Sequence, residues 1–146
     1  MKFVGFDGEE DAEKWARKKL GLDSGPNFFR AMSAVDNDGE YVCVVVFTGF
    51  SSINIDINIA MNGKKMTPKG TIEMFNKVFS FCFDELHVQR VTGLTGMSNK
   101  KAKNIIEHFG FKLEGVMRKA MPEGEDMAVY GFLADEFHNH AWCERG

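Results

Sequence analysis

Alternating apolar and polar positions mark the clearest strand of this chain, residues 53–60, with the sequence INIDINIA. Ile53, Ile55, Ile57 and Ile59 occupy every second position, which is the period of a β-strand. The residues between them are polar except for the last. We therefore expect a strand with its isoleucine face in the core and a polar opposite face.

A second strand pattern covers residues 28–47, FFRAMSAVDNDGEYVCVVVF, and is interrupted once. The interruption, Asn37-Asp38-Gly39, is typical of the turn of a β-hairpin. The strand after the turn is almost continuously apolar, which indicates that both of its faces are covered.

Helical spacing, with apolar residues every three or four positions, appears first in residues 9–20. That segment begins with acids and ends with bases, as the helix dipole favours, and Gly21 follows it. A longer helix is predicted for residues 66–86, with Thr67 as N-cap and Pro68 in the first turn. The apolar positions of this longer helix are Ile72, Phe75, Phe79, Cys82 and Leu86.

A third helix is predicted for residues 98–109, with Ser98 as its N-cap. Gly110 stands where a helix end favours a left-handed residue, and Phe111 can then pack back on Ile106, as in a Schellman motif. The packing residues of this helix are expected to be Ala102, Ile105, Ile106 and Phe109.

The remaining patterns predict a strand at residues 89–97 and a hairpin formed by residues 112–121 and 127–133. The predicted order is helix, three strands, helix, strand, helix and two strands. This order favours one mixed α/β (α+β) domain over residues 1–146, with its core at about 28–137 and a polar tail at 138–146.

Composition narrows the class of protein. The chain has 146 residues, of which 44% are hydrophobic, so it can form one core without disulfides. The net charge of -3 is spread along the chain, which argues against nucleic acid as the main partner. Because there is no signal-peptide pattern and no apolar run of membrane-spanning length, we expect a soluble, cytoplasmic protein with no membrane partner. Its three cysteines, Cys43, Cys82 and Cys143, are expected to be reduced thiols.

One long segment, residues 90–133, carries a recognisable combination of motifs. It contains Asn99 at the start of a helix, a Gly110-Phe111 turn, the strand motif from Glu114 to Arg118, and Asp126 followed four residues later by Tyr130. This combination resembles the Gcn5-related N-acetyltransferases (GNAT), and among them the RimJ/RimL type. The resemblance implies a mixed twisted sheet with helices on both faces and a V-shaped opening between two central strands.

The same resemblance implies acetyl-CoA as co-substrate and a primary amine, on a protein or a small molecule, as acceptor. The pantetheine arm would pair with the backbone near Ile57 and Ile59, and Asn99 would help to hold it. The pyrophosphate would lie at the start of the long helix, although Pro68 departs from the family's phosphate loop and leaves it degenerate. The residues expected there are Thr67, Lys69, Gly70 and Thr71.

Acetyl transfer needs a base for the amine and help for the departing thiolate. Asp56, on the polar face of the predicted strand, is the first candidate for the base, with Glu40 and Glu114 as alternatives. The positions where many family members carry a proton-donating tyrosine and serine are Ile106 and Ala102 here. The thiolate either leaves without a side-chain donor or catalysis is impaired.

Three alternatives remain from the sequence. A GNAT-shaped protein could be catalytically impaired and act as a structural or interaction module, or the chain could be an unrelated α/β binding domain. His138, His140 and Cys143 could ligate a metal, but their polar surroundings favour a mobile tail, and no metal site is expected. A homodimer through the last strand pair is a further possibility, and the acceptor amine stays open.

Overall fold

The computed structural model describes residues 1–22 and 30–144 of the chain. Within these residues there are seven strands, β1 (Lys2–Gly5), β2 (Arg30–Val35), β3 (Tyr41–Thr48), β4 (Asn54–Met61), β5 (Arg90–Gly96), β6 (Lys112–Met117) and β7 (Met127–Leu133). The helices are α1 (Glu9–Leu20), α2 (Pro68–Ser80), α3 (Lys100–His108) and a short α4 (Ala134–His138). A π-helical turn, Phe81–Glu85, continues α2, and a 3-10 turn, Pro122–Gly124, lies between β6 and β7.

The strands form one sheet in the order β1-β2-β3-β4-β5-β7-β6. Strands β4 and β5 run parallel, because α2 connects them across one face of the sheet, and the other neighbouring pairs are antiparallel. The predicted order is confirmed from α1 to β7, including both hairpins, whereas β1 and α4 were not predicted. Phe28 and Phe29, which the sequence placed at the start of the first strand of the hairpin, lie outside the described residues.

Each face of the sheet has its own apolar cluster. The larger cluster joins α2, α3 and the π-helical turn to the sheet, and it contains Ile55, Ile57 and Ile59 of β4. The smaller cluster lies under α1 and includes Val44 and Val46. Helices therefore cover both faces, and the prediction that β3 is buried on both sides is confirmed. This mixed α+β architecture is the one expected from the sequence.

The predicted polar face of β4 is only partly correct. Asn54 and Asp56 are half-buried, but Asn58 is 8% exposed and Ala60 is 1% exposed. The reason is that α1 packs over the second half of this face, as the membership of Ala60 in the smaller cluster shows. Ile53 precedes the strand and is 58% exposed, so its place in the predicted core was wrong.

The end of α3 matches the predicted Schellman motif. Gly110 has φ +99°, and its N–H donates to Glu107 O at 3.0 Å. The N–H of Phe111 donates to Ile106 O at 3.3 Å, and the Phe111 ring is buried. The predicted start was wrong by one residue, because the side chain of Asn99, and not that of Ser98, caps the helix by accepting the N–H of Ala102.

The C-terminal segment also differs from the expected polar tail. After α4, Asn76 Nδ2 donates to Trp142 O at 2.8 Å, and Asn76 Oδ1 accepts the N–H of Glu144 at 2.8 Å. The ring centroids of Phe75 and Trp142 are 5.6 Å apart. Residues 139–144 are thus held on α2 by a buried asparagine and a phenylalanine.

In the part of the chain that the structure describes, no helix is both long and apolar enough to cross a membrane.

Candidate functional site

The sheet opens in its middle, between β4 and β5. The two strands pair over four positions, from Asn54 opposite Arg90 to Ile57 opposite Gly93. Beyond these residues β4 continues to Met61, paired with β3, while β5 continues to Gly96, paired with β7. The edges that these two extensions turn towards each other are therefore not paired within the described residues. Backbone groups on such an edge can hydrogen-bond an extended ligand.

A small pocket of about 150 Å³ lies at this opening on the α1 side of the sheet. The C-terminal end of α1, the two diverging strands, the start of α3 and the β6–β7 connection all contribute to it. The residues that line it are Lys19, Leu20, Asn58, Leu94, Thr95, Gly96, Asn99, Met121 and Glu125.

A larger groove of about 570 Å³ lies on the other side, between the start of α2 and α3. Its lining combines apolar side chains with basic ones. The lining residues are Met61, Gly63, Lys64, Lys65, Met66, Pro68, Thr71, Ile72, Lys101, Asn104, Ile105, His108 and Trp142.

The basic residues of this groove belong to its rim. Lys101 Nζ donates to Gly63 O at 2.7 Å and so ties α3 to the loop after β4. Lys64 Nζ is 2.6 Å from the Asp36 carboxylate. This hydrogen bond raises the pKa of Lys64 and lowers the pKa of Asp36. Lysine ammonium groups at the edge of a groove favour an anionic ligand.

The predicted phosphate site at the start of α2 is largely occupied by the helix's own cap. Thr67 Oγ1 accepts the N–H of Gly70 at 3.0 Å, and Thr67 O accepts the N–H of Thr71 at 2.9 Å. Pro68 has no N–H. In the first turn this leaves the N–H of Lys69 without a hydrogen-bond partner among the described residues.

The side chains of the predicted phosphate residues also separate. Thr71 lines the groove, whereas Lys69 and Gly70 are not among its lining residues. Gly70 is buried, and a Cβ added there would lie 2.5 Å from Met1 Cε. The lysines of the loop and of α3 are therefore better placed towards this groove than the helix amides on which the sequence prediction relied.

Of the three predicted carboxylates, only Asp56 lies on β4. It belongs to the part of β4 that is still paired with β5. Its Oδ1 accepts a hydrogen bond from Asn54 Nδ2 at 2.9 Å. Glu114 is 2.8 Å from the Arg90 guanidinium, and Glu40 lies in the β2–β3 turn. The structure does not bring these three carboxylates together.

Within the described residues, the inner face of α3 carries no tyrosine, serine or other side chain that could donate a proton to the departing thiolate. Ile106 and Ala102 are fully buried in the core. Tyr130, which lies opposite Gly93 on β7, donates its hydroxyl hydrogen to Glu107 at 3.0 Å. Burial, together with this hydrogen bond to Glu107, raises the pKa of Tyr130 to about 12, so its hydroxyl is a weak acid.

Three polar residues at the opening were not predicted: Asn58, Thr95 and Glu125. The sequence carried no signal for the first two, because their position depends on where two strands stop pairing. Hydrogen bonds from Ser98 hold the pKa of Glu125 below its usual value. The carboxylate lies over Gly96, where an added Cβ would be 2.8 Å from one of its oxygens.

The three residues considered for a metal do not form a cluster. His138 Nε2 is 2.8 Å from the Asp84 carboxylate, and His140 packs on Phe75 with a centroid distance of 4.5 Å. Within residues 1–22 and 30–144, no group of three or more potential metal ligands comes together.

Of three comparisons with known proteins, the one with solved structures identifies the fold. No protein-family model matches the chain, and a search of the curated proteins gives no match either. Among solved structures, a GNAT-family acetyltransferase from Bacillus anthracis matches with a TM-score of 0.60 and 20% identity, over 87% of this chain and 75% of that one.

Two further structures give a similar result. Spermidine/spermine N-acetyltransferase SpeG from Vibrio cholerae matches with a TM-score of 0.62 and 16% identity, over 90% of this chain and 80% of that one. A ribosomal-protein alanine acetyltransferase from Vibrio fischeri has a TM-score of 0.60 and 17% identity, over 73% of this chain and 62% of that one. At such identities the likeness shows the fold: this chain has the mixed sheet and flanking helices of GNAT acetyltransferase structures.

Proposed function

We propose that this protein transfers the acetyl group of acetyl-CoA to a primary amine by direct attack. The observation that carries the proposal is the opening between β4 and β5, with a basic groove on one side and a small polar pocket on the other. A donor can enter such an opening from one face and an acceptor from the other. Their reacting atoms then meet in the middle of the sheet.

The donor half of the proposal uses the free edge of β4 and the groove. The pantetheine amides hydrogen-bond to the backbone near Ile57 and Ile59, like an added strand. Asn99 holds the arm at the start of α3. The phosphates lie at the groove rim, near Lys65, Lys101 and the first turn of α2 with its residues Thr67, Lys69, Gly70 and Thr71.

The acceptor half uses the α1 side. The amine must attack as a neutral nucleophile, and Asp56 receives its proton through a water molecule. A backbone N–H of the β4 edge polarises the thioester carbonyl. With Ile106 and Ala102 in place of the familiar donors, the thiolate leaves as such, which a thiol pKa of about 8.5 permits near neutral pH.

Two of the similar solved structures are named as acetyltransferases, one of spermidine and spermine and the other of an alanine of a ribosomal protein. Amines of these kinds are the acceptors to test first with this chain. Both a polyamine and a protein N-terminus belong to the proposed substrate class.

Calorimetric titration with acetyl-CoA, followed by an acetylation assay over these amines, tests the proposal. We expect saturable binding of acetyl-CoA and release of free CoA thiol that depends on added amine. No detectable binding at millimolar acetyl-CoA would contradict the enzyme proposal.

A second candidate is a GNAT-shaped interaction module without catalysis. The start of α2 favours this candidate, because Thr67 Oγ1 already accepts the N–H of Gly70, which a phosphate would otherwise bind. For this candidate, acetyl-CoA would neither bind nor raise the melting temperature, so the same titration separates the two.

A further inference from the structure

Two polar side chains at the opening lack partners in the part of the chain that the structure describes. Thr95 is 3% exposed, and its hydroxyl oxygen is buried without a hydrogen bond. Asn58 is 8% exposed, and its carboxamide has no hydrogen-bond partner among the described residues. Both line the small pocket. Buried polar groups are nearly always hydrogen-bonded in folded proteins, so the buried and unpartnered hydroxyl of Thr95 at this opening points to a ligand.

The register of the sheet places these two side chains on opposite faces. Asn58 lies opposite Val46, which belongs to the apolar cluster under α1. Thr95 lies opposite Ala128, which belongs to the larger cluster under α2 and α3. Paired residues of antiparallel strands point to the same face. Asn58 therefore flanks the opening from the α1 side and Thr95 from the α3 side.

Both residues also lie just past the point where β4 and β5 separate. Asn58 follows Ile57, the last paired residue of β4, and Thr95 is two residues after Gly93, the last paired residue of β5 with β4. They are thus polar side chains that flank the opening on its two faces.

One other buried hydroxyl provides a comparison. Ser33 Oγ also lacks a hydrogen-bond partner within the described ranges. Ser33 lies on β2, paired with Gly5 on one side and Val44 on the other, and it lines neither the pocket nor the groove. An unpartnered hydroxyl destabilises the fold at either position. Of the two residues, only Thr95 is among those that line the pocket at the opening.

We propose that Thr95 donates a hydrogen bond to the thioester sulfur of the acyl donor and that the Asn58 carboxamide oxygen accepts an N–H of the attacking amine. This inference rests on the proposed acetyl transfer and assigns the two sides of its reaction centre. As the amine nitrogen bonds to the carbonyl carbon, the C–S bond breaks and its electron pair stays on sulfur. The Thr95 hydroxyl stabilises that thiolate, and the amine proton passes through a water molecule to Asp56.

The pocket also defines the class of acceptor. A space of about 150 Å³, lined in part by the apolar side chains of Leu20, Leu94 and Met121, has room for a small alkylamine. Glu125 at its rim attracts an ammonium group before deprotonation. We therefore expect a small primary alkylamine to be accepted.

The test compares Thr95→Val, Asn58→Leu and the matched control Ser33→Ala in the full chain, with acetyl-CoA and butylamine as probes. Thr95→Val and Ser33→Ala should both melt at a higher temperature than the wild type. Only Thr95→Val should lower kcat, by about tenfold, the effect of one lost hydrogen bond.

Asn58→Leu should raise the KM for butylamine about tenfold and leave the affinity for acetyl-CoA unchanged. Thr95→Ser should retain the wild-type kcat, because it keeps a hydroxyl at the same position.

Each opposite result overturns the inference. If Thr95→Val and Ser33→Ala behave alike in melting and in kcat, Thr95 has no role in the reaction. An unchanged KM in Asn58→Leu removes Asn58 from the amine site. These results leave acetyl transfer by the wild-type chain intact, whereas a wild-type chain that does not bind acetyl-CoA removes the proposed function and this inference together.

Discussion

Thr67 illustrates how a single residue can serve either the helix or a ligand. Its hydroxyl and carbonyl oxygens both accept hydrogen bonds from the first turn of α2. A helix start that binds a phosphate needs those N–H groups free. The charge for an anion must therefore come from neighbouring side chains, of which Lys65 and Lys101 border the groove.

A charge reversal at Lys65 tests this view. Lys65→Glu should weaken acetyl-CoA binding by roughly three- to tenfold at low salt, because an exposed charge acts through screened attraction. Lys69→Glu should have a smaller effect, since Lys69 does not line the groove. Lys77→Glu, in the last turn of α2, is the matched control and should bind as the wild type does. Calorimetry at two salt concentrations measures all three, and equal affinities throughout would remove the phosphate site from this groove.

Removal of the cap itself has a separate, structural effect. Thr67→Ala should lower the free energy of unfolding by about 1 kcal/mol, because Gly70 N–H loses its acceptor. Thr67→Ser keeps an oxygen at the same place and should cost much less. Urea unfolding followed by circular dichroism measures the difference, and equal midpoints for the two variants would contradict the capping role.

At the scale of an element, helix α1 is attached to the sheet by side chains that are distant in the chain. The Arg30 side chain, from β2, donates from Nε to the Glu9 carboxylate at 2.9 Å and lies over the Phe6 ring, 3.6 Å from its centroid. Glu9 also accepts the backbone N–H of Ala31. These contacts attach the start of α1 to the sheet, and the other end of α1 contributes Lys19 and Leu20 to the small pocket. The ion pair and the pocket wall thus lie at opposite ends of the same helix.

The contribution of this ion pair should depend on pH. The hydrogen bond from Arg30 lowers the pKa of Glu9 below its unfolded value of 4.5. Its stabilisation is therefore present above about pH 4.5 and is lost as the pH falls through the lower, folded-state pKa. Since both side chains are about one-third exposed, Glu9→Gln should cost less than about 1 kcal/mol at neutral pH. Unfolding of both proteins at neutral and acidic pH should show the difference shrinking on acidification; a constant difference would contradict this account.

At the scale of the whole molecule, the opening divides the sheet into two parts that touch through four paired positions of β4 and β5. One part contains β1 to β4 with α1, and the other contains β5, β7 and β6. Helices α2 and α3 bridge the two across the larger core. A ligand that hydrogen-bonds to both free edges would complete the missing pairing and stabilise the whole chain.

Acetyl-CoA should accordingly raise the free energy of unfolding. At a concentration one hundred times the Kd, the expected gain is about 2.7 kcal/mol. Pantetheine alone, which lacks the phosphates, should give a much smaller gain at the same concentration. Thermal unfolding with each ligand measures this, and equal gains from the two would mean that the basic groove does not bind the donor.

Much of the fold could be predicted because it depends on local pattern. The isoleucine alternation of β4, the turn at Gly39 and the left-handed end of α3 at Gly110 are properties of short segments. The predicted core face of β4 was correct from Ile55 onwards. The burial of Asn58 and the docking of Trp142 on α2 were missed, because each depends on a segment that is distant in the chain.

The sequence by itself determined the order of the elements, their periods and the resemblance from which a donor and an acceptor were expected. Only the tertiary structure decided which polar groups share the opening. Asn58 and Thr95 are separated by more than thirty residues and meet because β4 and β5 stop pairing after Ile57 and Gly93. The end of a strand pairing is set by the helices packed on both faces and by the partner strands, and no period within one segment encodes it.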